Sequence, residues 1–401
     1  DKYNFGVKLN GVYELSKKQQ FNLGLLASRK FQDRLADIYY TNRTIQPSTG
    51  AELSTKNYFN SNLQNKQGEF YLIDFNYQYK FNDAHVLQAA AIYEYANIYG
   101  STKNANIERG IDTVQWTNNN YTNPLRGLRI SVQHQWKLPH GELLSGYQLR
   151  NDRQSGNFEY FATEKPGEAM KIIPEFTGKL NATNRVHAIF SQYDHKRERT
   201  QLSLGIRYEY YQRDVLLVHT GVEYPYAVHQ LYPSFSLIHS LSDDWSWKFA
   251  AARRVQRNNN FELNPIPERE HSETLEQGDP TLLPEFTTNI ETGVVKKLKK
   301  GSIFLNTYYQ HTQNPVQRVN SVYADTILNR VFTNADYATR WGAEIGGEGK
   351  ILPWLRMNGG VNLYRYKISG QVLTYKMITS NSDWVYSMNA GVQADFAKDW
   401  S

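Results

Sequence analysis

The sequence predicts an all-β fold, a transmembrane antiparallel up-and-down β-barrel with about 15–16 strands in this stretch. Three observations predict it. Apolar and polar residues alternate over segments of strand length, short breaks alternate with long polar stretches, and tryptophans lie near the ends of the predicted strands.

The alternation is clearest in residues 70–95, FYLIDFNYQYKFNDAHVLQAAAIYEY. Tyr71, Ile73 and Phe75 occupy every second position, with polar residues such as Asp74 between them. Successive side chains of a strand point to opposite faces, so this hairpin has one aromatic face and one polar face. Burying the polar face in a dry core would cost kilocalories for each unpaired group. We therefore predict that the aromatic face contacts lipid and that the polar face lines a water-filled or plugged lumen.

The amino-acid composition excludes several classes of protein and several kinds of site. The 401 residues are 40% hydrophobic and 14% aromatic, whereas disordered chains are poor in aromatic residues. Mean hydropathy is −0.65 and no run of 18 apolar residues occurs, which excludes a transmembrane helix but not a barrel, because alternation averages to a polar value. The net charge of +6 comes from dispersed Lys and Arg, so no nucleic-acid partner is expected. Without cysteine there are no disulfides and no thiolate metal sites.

Short breaks in the pattern are predicted to be periplasmic turns, and longer polar stretches to be loops at the opposite end. The predicted turns lie at 17–20, 82–85, 139–142, 195–200, 242–244, 298–300, 352–354 and 397–400. The predicted loops lie at about 33–66, 101–124, 153–185, 214–229, 258–287, 314–337 and 371–381. Each of the first seven turns is flanked by segments of about 9–14 residues, long enough to cross a bilayer at a tilt. This pattern is typical of a barrel in the outer membrane of a Gram-negative bacterium.

The last predicted turn, at 397–400, is not followed by a returning strand. Lipid does not tolerate an unpaired strand edge, since backbone groups there have no water to bond. We therefore expect the natural protein to extend at both ends, with residues 1–401 forming a portion of its barrel.

Tryptophan positions give a further indication. The residues beside predicted turns are Trp136, Trp245, Trp247, Trp354 and Trp400, while Trp341 and Trp384 follow predicted loops and Trp116 falls inside one. Two aromatic bands at opposite strand ends suit the two interfaces of a bilayer. The alternative is that these residues cap the ends of a β-sandwich.

Several stretches between about 200 and 350 carry distinctive motifs. In chain order they are GIRYE at 205–209, YPSFSL at 232–237, ARRVQR at 252–257, FELNP at 261–265, GDPTLLPE at 278–285, NIETG at 289–293 and WGAE at 341–344. In order and spacing they resemble TonB-dependent outer-membrane receptors, and most of all the Bacteroidetes branch of such barrels, with Gly205–Glu209 similar to that family's GLRYE strand.

The resemblance implies a barrel of about 22 strands around an N-terminal plug domain. It also implies import of a scarce nutrient, such as a ferric siderophore, cobalamin or a glycan. Energy would come from the TonB complex, which pulls a short TonB box on the plug, and a surface lipoprotein is a further possible partner. The sequence departs from this picture because residues 1–401 contain neither plug nor TonB box.

Arginines on one predicted strand are candidate ligand-binding residues. On a period of two, Arg253 and Arg257 share a face with Val255, and Arg254 lies on the other face. Their guanidinium groups could pair with carboxylates of a plug or loop, or hold an anionic siderophore. Both alternatives remain open from the sequence.

Glu268 and His271 are the remaining candidates. They lie in the loop stretch EREHSE at 268–273, where they could contact a metal-bearing ligand. A solvated polar loop with no ligand is the alternative. No cofactor and no resident metal are expected.

The expected function is import by a TonB-dependent receptor, and the alternatives are a passive porin or a structural or surface-binding barrel. An enzyme is not expected, because the sequence has no P-loop, no HExxH and no recognisable set of nucleophile and base. The glycine-rich segment Gly346–Lys350 lacks the spacing of a phosphate-binding loop and is predicted to ease a bend in a strand.

Overall fold

The structure is a computed structural model, and it describes residues 1–108, 113–165, 167–271, 274–323, 327–372, 375–377 and 383–394. Within these ranges the regular structure is β-strand, apart from a short 3-10 helix at Pro174–Phe176. None of the described residues forms a helix long and apolar enough to cross a membrane.

The strands are numbered in chain order. Their bounds are β1 Lys2–Ser16, β2 Gln19–Ile45, β3 Glu52–Lys80, β4 His85–Glu108, β5 Thr113–Leu138, β6 Gly141–Thr163, β7 Lys171–Ile172, β8 Gly178–Arg197, β9 Thr200–Leu217, β10 Val222–Ser240, β11 Trp245–Gln256, β12 Glu268–His271, β13 Thr274–Gln277, β14 Glu285–Leu298, β15 Gly301–Gln313, β16 Val316–Tyr323, β17 Ile327–Asn334, β18 Tyr337–Leu352, β19 Leu355–Val372, β20 Tyr375–Met377 and β21 Asp383–Ala394.

In the described part of the chain, seventeen strands form one sheet, and four short strands, β12, β13, β17 and β16, form a second. In the large sheet, β7 and β20 have only two and three residues, so fifteen long strands remain. Each long strand pairs antiparallel with the next long strand along the chain, which confirms the predicted up-and-down sheet and strand count. Among the described residues, β1 pairs only with β2 and β21 only with β19, so the sheet has two unpaired edges.

The first seven predicted turns all join consecutive long strands in the structure. In the turn between β3 and β4, the Asn82 Oδ1 accepts hydrogen bonds from the backbone N–H groups of Ala84 and His85, each at 2.9 Å. Asparagine suits this position because its side chain can replace a backbone acceptor in a tight turn. The eighth predicted turn, at 397–400, lies outside the described residues.

The predicted loops 33–66 and 101–124 are largely wrong, because β2 extends to Ile45, β3 begins at Glu52, β4 extends to Glu108 and β5 begins at Thr113. These strands are 27, 29, 24 and 26 residues long, and the β2–β3 pairing continues to Ile45 opposite Glu52. The misprediction has a physical cause. Beyond the bilayer both faces of a strand meet water, so the apolar alternation stops although the backbone pairing does not. Trp116, predicted to lie in a loop, is likewise in β5.

The apolar side chains of the alternation are exposed on one face of the large sheet, as expected for a surface that contacts lipid. Ile73, Ile206 and Ile345 are 50%, 53% and 59% exposed. We call this surface the outer face and the opposite surface the inner face. Trp341 of β18 and Trp384 of β21, the two strands that flank β19, meet edge to face with ring centroids 5.3 Å apart.

Candidate functional site

The inner face carries a network of arginines and carboxylates that follows the period of two along each strand. The ion pairs are Arg129 with Glu94 at 2.8 Å, Arg150 with Asp152 at 2.5 Å and Arg207 with Glu209 at 2.6 Å. Arg207 also donates to the Gln148 Oε1 at 2.8 Å, and its guanidinium lies 5.9 Å from the Phe190 ring. These contacts join β4 to β5, and they join β6, β8 and β9, along the inner wall.

Arg257 joins this network from beyond the end of β11. Its Nη2 donates to the Glu209 Oε2, and its guanidinium lies 4.9 Å from the Tyr211 ring. Glu209 is only 5% exposed and thus accepts from two arginines, Arg207 and Arg257. Charge-assisted bonds of this kind hold both partners firmly, which fixes where the chain leaves the wall.

A cavity of about 520 Å³ opens beside these ion pairs. Its charged and amide lining consists of Arg129, Gln148, Arg150, Arg207, Glu209 and Arg257. With Glu94 and Asp152, which pair with Arg129 and Arg150, three carboxylates offset the four guanidinium groups, and the remaining positive charge favours an anionic occupant.

The structure places the predicted site residues apart from one another. Arg253 donates to the Gln313 Oε1 at 3.3 Å and lies 5.5 Å from the Phe286 ring, on the side of β14 and β15. Arg254 is exposed. Because β11 ends at Gln256, Arg257 lies beyond the strand, so the predicted shared face of Arg253 and Arg257 does not form.

Glu268 and His271 lie in β12, in the second sheet. Glu268 is near Tyr121, whose pKa is raised to about 12, first by burial and then by the Glu268 carboxylate. Tyr121 therefore keeps its proton at neutral pH. The side chain of His271 lies outside the described residues.

The second sheet and the segment before β14 form a layer over the inner face at the loop end of the barrel. We call residues 257–284 together with β16 and β17 the cap, as far as the structure describes them. Strand β13 pairs with β12 and with β17, and β17 pairs with β16, so both long connections contribute to one sheet. The predicted loops 258–287 and 314–337 are therefore partly strand.

Two apolar clusters hold the cap against the wall. In the first, Leu263, Ile266 and Leu282 of the cap pack on Phe158, Leu180, Ala182, Val215 and Leu217 of the wall. In the second, Leu275 packs with Tyr160 and with Phe176 of the 3-10 helix. Leu263, Leu275 and Leu282 are 0%, 1% and 1% exposed, so the cap is docked and does not stand free in solvent.

Arg213 is the polar anchor of the cap. This residue of β9 is 1% exposed and donates to the backbone oxygens of Leu282 at 2.8 Å and Pro280 at 3.1 Å. It also donates to the Asn258 Oδ1 at 3.3 Å, and its guanidinium lies 5.2 Å from the Tyr226 ring. One side chain of the wall therefore fixes both ends of the segment before β14.

Two of the stretches that carry the family resemblance pack against each other inside the cap. The Gly278 N–H donates to the Asn264 oxygen and the Asp279 N–H to the Glu262 oxygen, both at 2.7 Å. A Cβ atom at Gly278 would lie 2.4 Å from the Glu262 oxygen and 2.6 Å from the Asn264 nitrogen. Glycine is needed here because two backbone segments approach too closely for any side chain.

Gly278→Ala is therefore expected to loosen the cap by about 1–3 kcal/mol, the usual cost of forcing an extra methyl group into a packed site. Faster backbone hydrogen exchange in residues 258–271 should report it. Gly11→Ala is the matched control, because nothing lies within 4 Å of a Cβ there and the backbone does not have a positive φ. Equal exchange in wild type and Gly278→Ala would contradict the close approach.

Asn334 ties β17 to the segment before β14. Its Oδ1 accepts from the Leu283 N–H at 2.8 Å, and its Nδ2 donates to the oxygens of Leu283 at 3.1 Å and Asn314 at 2.8 Å. These bonds join the two cap segments into one unit.

Sequence reasoning missed Arg207, Glu209 and Arg213. The signal was present, since all three occupy alternate positions of β9 on the polar face of the strand. What the pattern could not show is that chain segments 45 to 69 residues away supply the partners of Arg213.

The sequence of residues 79–401 matches the model of the outer membrane protein beta-barrel family. The chain belongs to this family. It is therefore an outer-membrane β-barrel protein of a Gram-negative bacterium. No curated protein matches the chain in sequence.

Solved structures with the same fold are receptors and importers. The unliganded ferric citrate transporter FecA is 12% identical with a TM-score of 0.56, and the match covers 98% of this chain and 63% of FecA. The siderophore receptor PiuA from Acinetobacter baumannii is 9% identical with a TM-score of 0.55, covering 96% of this chain and 66% of PiuA. The RagAB peptide importer is 10% identical with a TM-score of 0.57, covering 94% and 48%. At these identities the likeness establishes the fold, and the chain spans less than two thirds of each of these three proteins.

Proposed function

We propose that this chain is the barrel portion of a TonB-dependent receptor that imports a scarce nutrient, such as a ferric siderophore. The observation that carries the proposal is the arginine-lined cavity of about 520 Å³ on the inner wall, in a sheet that shares its fold with FecA and PiuA. The Bacteroidetes branch of these barrels is part of the proposal. So is coupling to the TonB complex through a plug domain outside these 401 residues, and catalysis is not part of it.

The lining supports an anionic ligand. Besides the excess of guanidinium groups, the Arg257 Nε is buried and has no hydrogen-bond partner among the described residues. A buried donor without an acceptor is costly, and a carboxylate or catecholate oxygen of a ferric chelate would satisfy it. Arg253, Arg254, Glu268 and His271 remain candidates for contacts nearer the loop end.

The docked cap favours gated import over passive flow. Apolar contacts and the buried Arg213 hold the cap over the inner face at the loop end, where a general porin needs free passage. A surface lipoprotein is a further possible partner, because the RagAB importer with the same fold is a two-component assembly by name.

Energised uptake tests the proposal. In the source bacterium carrying the full-length protein, uptake of ⁵⁵Fe should be measured with ferric citrate, a ferric catecholate and a ferric hydroxamate. We expect uptake of at least one complex, abolished by a protonophore. Uptake that continues at the same rate without proton-motive force would favour the passive porin.

Arg207→Gln is expected to weaken binding of the imported complex by about 10–100-fold, since a hydrogen bond to a charged group contributes about 1.5–3 kcal/mol. Titration of the purified receptor with each ferric complex measures it. Arg43→Gln is the matched control, because this exposed arginine of β2 lies far from the cavity. If Arg207→Gln bound the ferric complex as tightly as wild type, the ligand would not contact Arg207 in this cavity.

A further inference from the structure

Three arginines lie together on the outer face, at one height above the short turns. Arg126 of β5, Arg153 of β6 and Arg185 of β8 are each twelve residues from the turn that joins their strand to its neighbour. At a rise of about 3.3 Å per residue and a tilt near 45°, this places them roughly 28 Å above the turns. The apolar band of an outer-membrane barrel is about 25 Å tall, so the three guanidinium groups lie just beyond the lipid tails.

The residues below them mark that boundary. On the outer face, the positions two and four residues nearer the turns include Leu128, Leu149 and His187. The Tyr147 hydroxyl bonds to the His187 Nδ1 at 2.8 Å, and the ring of His229 stacks on that of Tyr210 at 4.6 Å. The rings of His187, Tyr210 and His229 are ten or eleven residues from their turns, and such amphipathic rings belong at the headgroup level of a bilayer.

The arginines repel one another in the absence of an anion. Arg126 is directly opposite Arg153 in the β5–β6 register, and Arg185 is the diagonal neighbour of Arg153 across β6–β8. Like charges directly opposite each other destabilise a sheet. An anion held between the arginines would convert this repulsion into attraction.

No carboxylate lies within ion-pair distance of these three side chains among the described residues. Arg126 and Arg153 are exposed, and Arg185 makes only a long 3.5 Å bond to the Gln212 Oε1. Gln212 in turn donates to the exposed Asp214 at 3.1 Å. The inner-face arginines of β5 and β6, Arg129 and Arg150, are each paired with a carboxylate, whereas the three outer-face arginines are not.

We infer that Arg126, Arg153 and Arg185 form a binding site for a phosphorylated glycolipid of the outer leaflet. Guanidinium forks match phosphate oxygens, and the amides of Asn151 and Gln212 beside them suit sugar hydroxyls. The acyl chains would lie on the apolar band directly below. The site depends on the membrane location of the chain and not on import.

Binding of lipid A tests the site. The folded protein in detergent should be titrated with diphosphoryl lipid A and with lipid A from which both phosphates are removed. Replacing all three arginines, by Arg126→Gln, Arg153→Gln and Arg185→Gln together, is expected to weaken binding of the diphosphoryl form roughly 100-fold. The dephosphorylated form should bind the wild-type protein as weakly as the diphosphoryl form binds the variant.

The control removes equal charge from the same face farther from the lipid, by Arg43→Gln, Lys103→Gln and Lys179→Gln, all at exposed positions. The control variant should bind diphosphoryl lipid A like wild type.

Replacing Arg126, Arg153 and Arg185 by lysine keeps the three charges but removes the planar guanidinium groups. This variant should fold even if the glutamine variant does not. We expect it to bind diphosphoryl lipid A about 10-fold more weakly than wild type. Three results would each overturn the inference. The wild-type protein could bind both lipids equally, the glutamine and lysine variants could bind diphosphoryl lipid A as tightly as wild type, or 10 mM inorganic phosphate could displace the lipid fully.

Discussion

Arg213→Met should release the cap from the barrel wall, at a cost of about 2–4 kcal/mol to its docking. The substitution keeps much of the buried volume but leaves the backbone oxygens of Pro280 and Leu282 without their donor. A buried acceptor that loses its partner costs about 1–3 kcal/mol. The two backbone oxygens lose theirs here, and the Asn258 Oδ1 loses a third, longer bond. Hydrogen exchange and proteolysis within residues 258–284 should both accelerate, while the bilayer-spanning parts of the strands stay protected.

Two variants sharpen the Arg213 experiment. Arg213→Lys keeps the positive charge but lacks the planar guanidinium group that reaches both oxygens. Its cap should therefore exchange and be cleaved at rates nearer to those of Arg213→Met than to those of wild type. Glu223→Gln changes an exposed residue of β10 and should leave exchange unaltered. If methionine at position 213 left the cap as protected as in wild type, the apolar clusters alone would account for its docking.

Phe75→Arg should destabilise the folded barrel in a lipid bilayer by about 2–4 kcal/mol. Phe75 lies on the outer face, 41% exposed, five residues from the end of β3, which places it within the apolar band. A charged group there must leave water for hydrocarbon or distort the bilayer around it. Reversible unfolding from liposomes measures the difference.

The neighbouring position provides the control. Asn76 points to the inner face and donates to the Asp74 Oδ1 at 3.1 Å, so an arginine there gains a carboxylate neighbour and keeps access to water. Asn76→Arg should therefore change stability by less than about 1 kcal/mol. Equal costs at positions 75 and 76 would mean that the two faces have been assigned incorrectly.

The bilayer-spanning part of the fold was predictable because lipid imposes a strict pattern. Tyr71, Ile73 and Phe75 must be apolar where they meet hydrocarbon, and Asn82 must turn the chain where the hydrocarbon ends. Above the membrane this constraint disappears. Asn60 and Asn62 of β3 bond to Asn106 and Asn104 of β4 at 2.6 Å each, a paired sheet that no hydrophobic period reveals.

The candidate site was predictable only in part. Alternation predicts that Arg207 and Glu209 share a polar face, and local sequence identified Arg257 as a candidate. The cavity arises because Arg257 leaves β11 and returns to Glu209, 48 residues away in the chain. Such a contact depends on tertiary packing of the cap, and no spacing within one strand encodes it.

The unequal strand lengths tilt the rim of the barrel. With about 3.3 Å per residue and a tilt near 45°, the tip between β2 and β3 rises roughly 25 Å farther from the membrane than the tip between β9 and β10. The low side of the rim is formed by the strands that carry Arg213 and the docked cap. A macromolecule that approaches from outside the cell would contact the high side first, where the polar ends of β2 and β3 carry asparagine and tyrosine. A small solute can reach the cap directly from the low side.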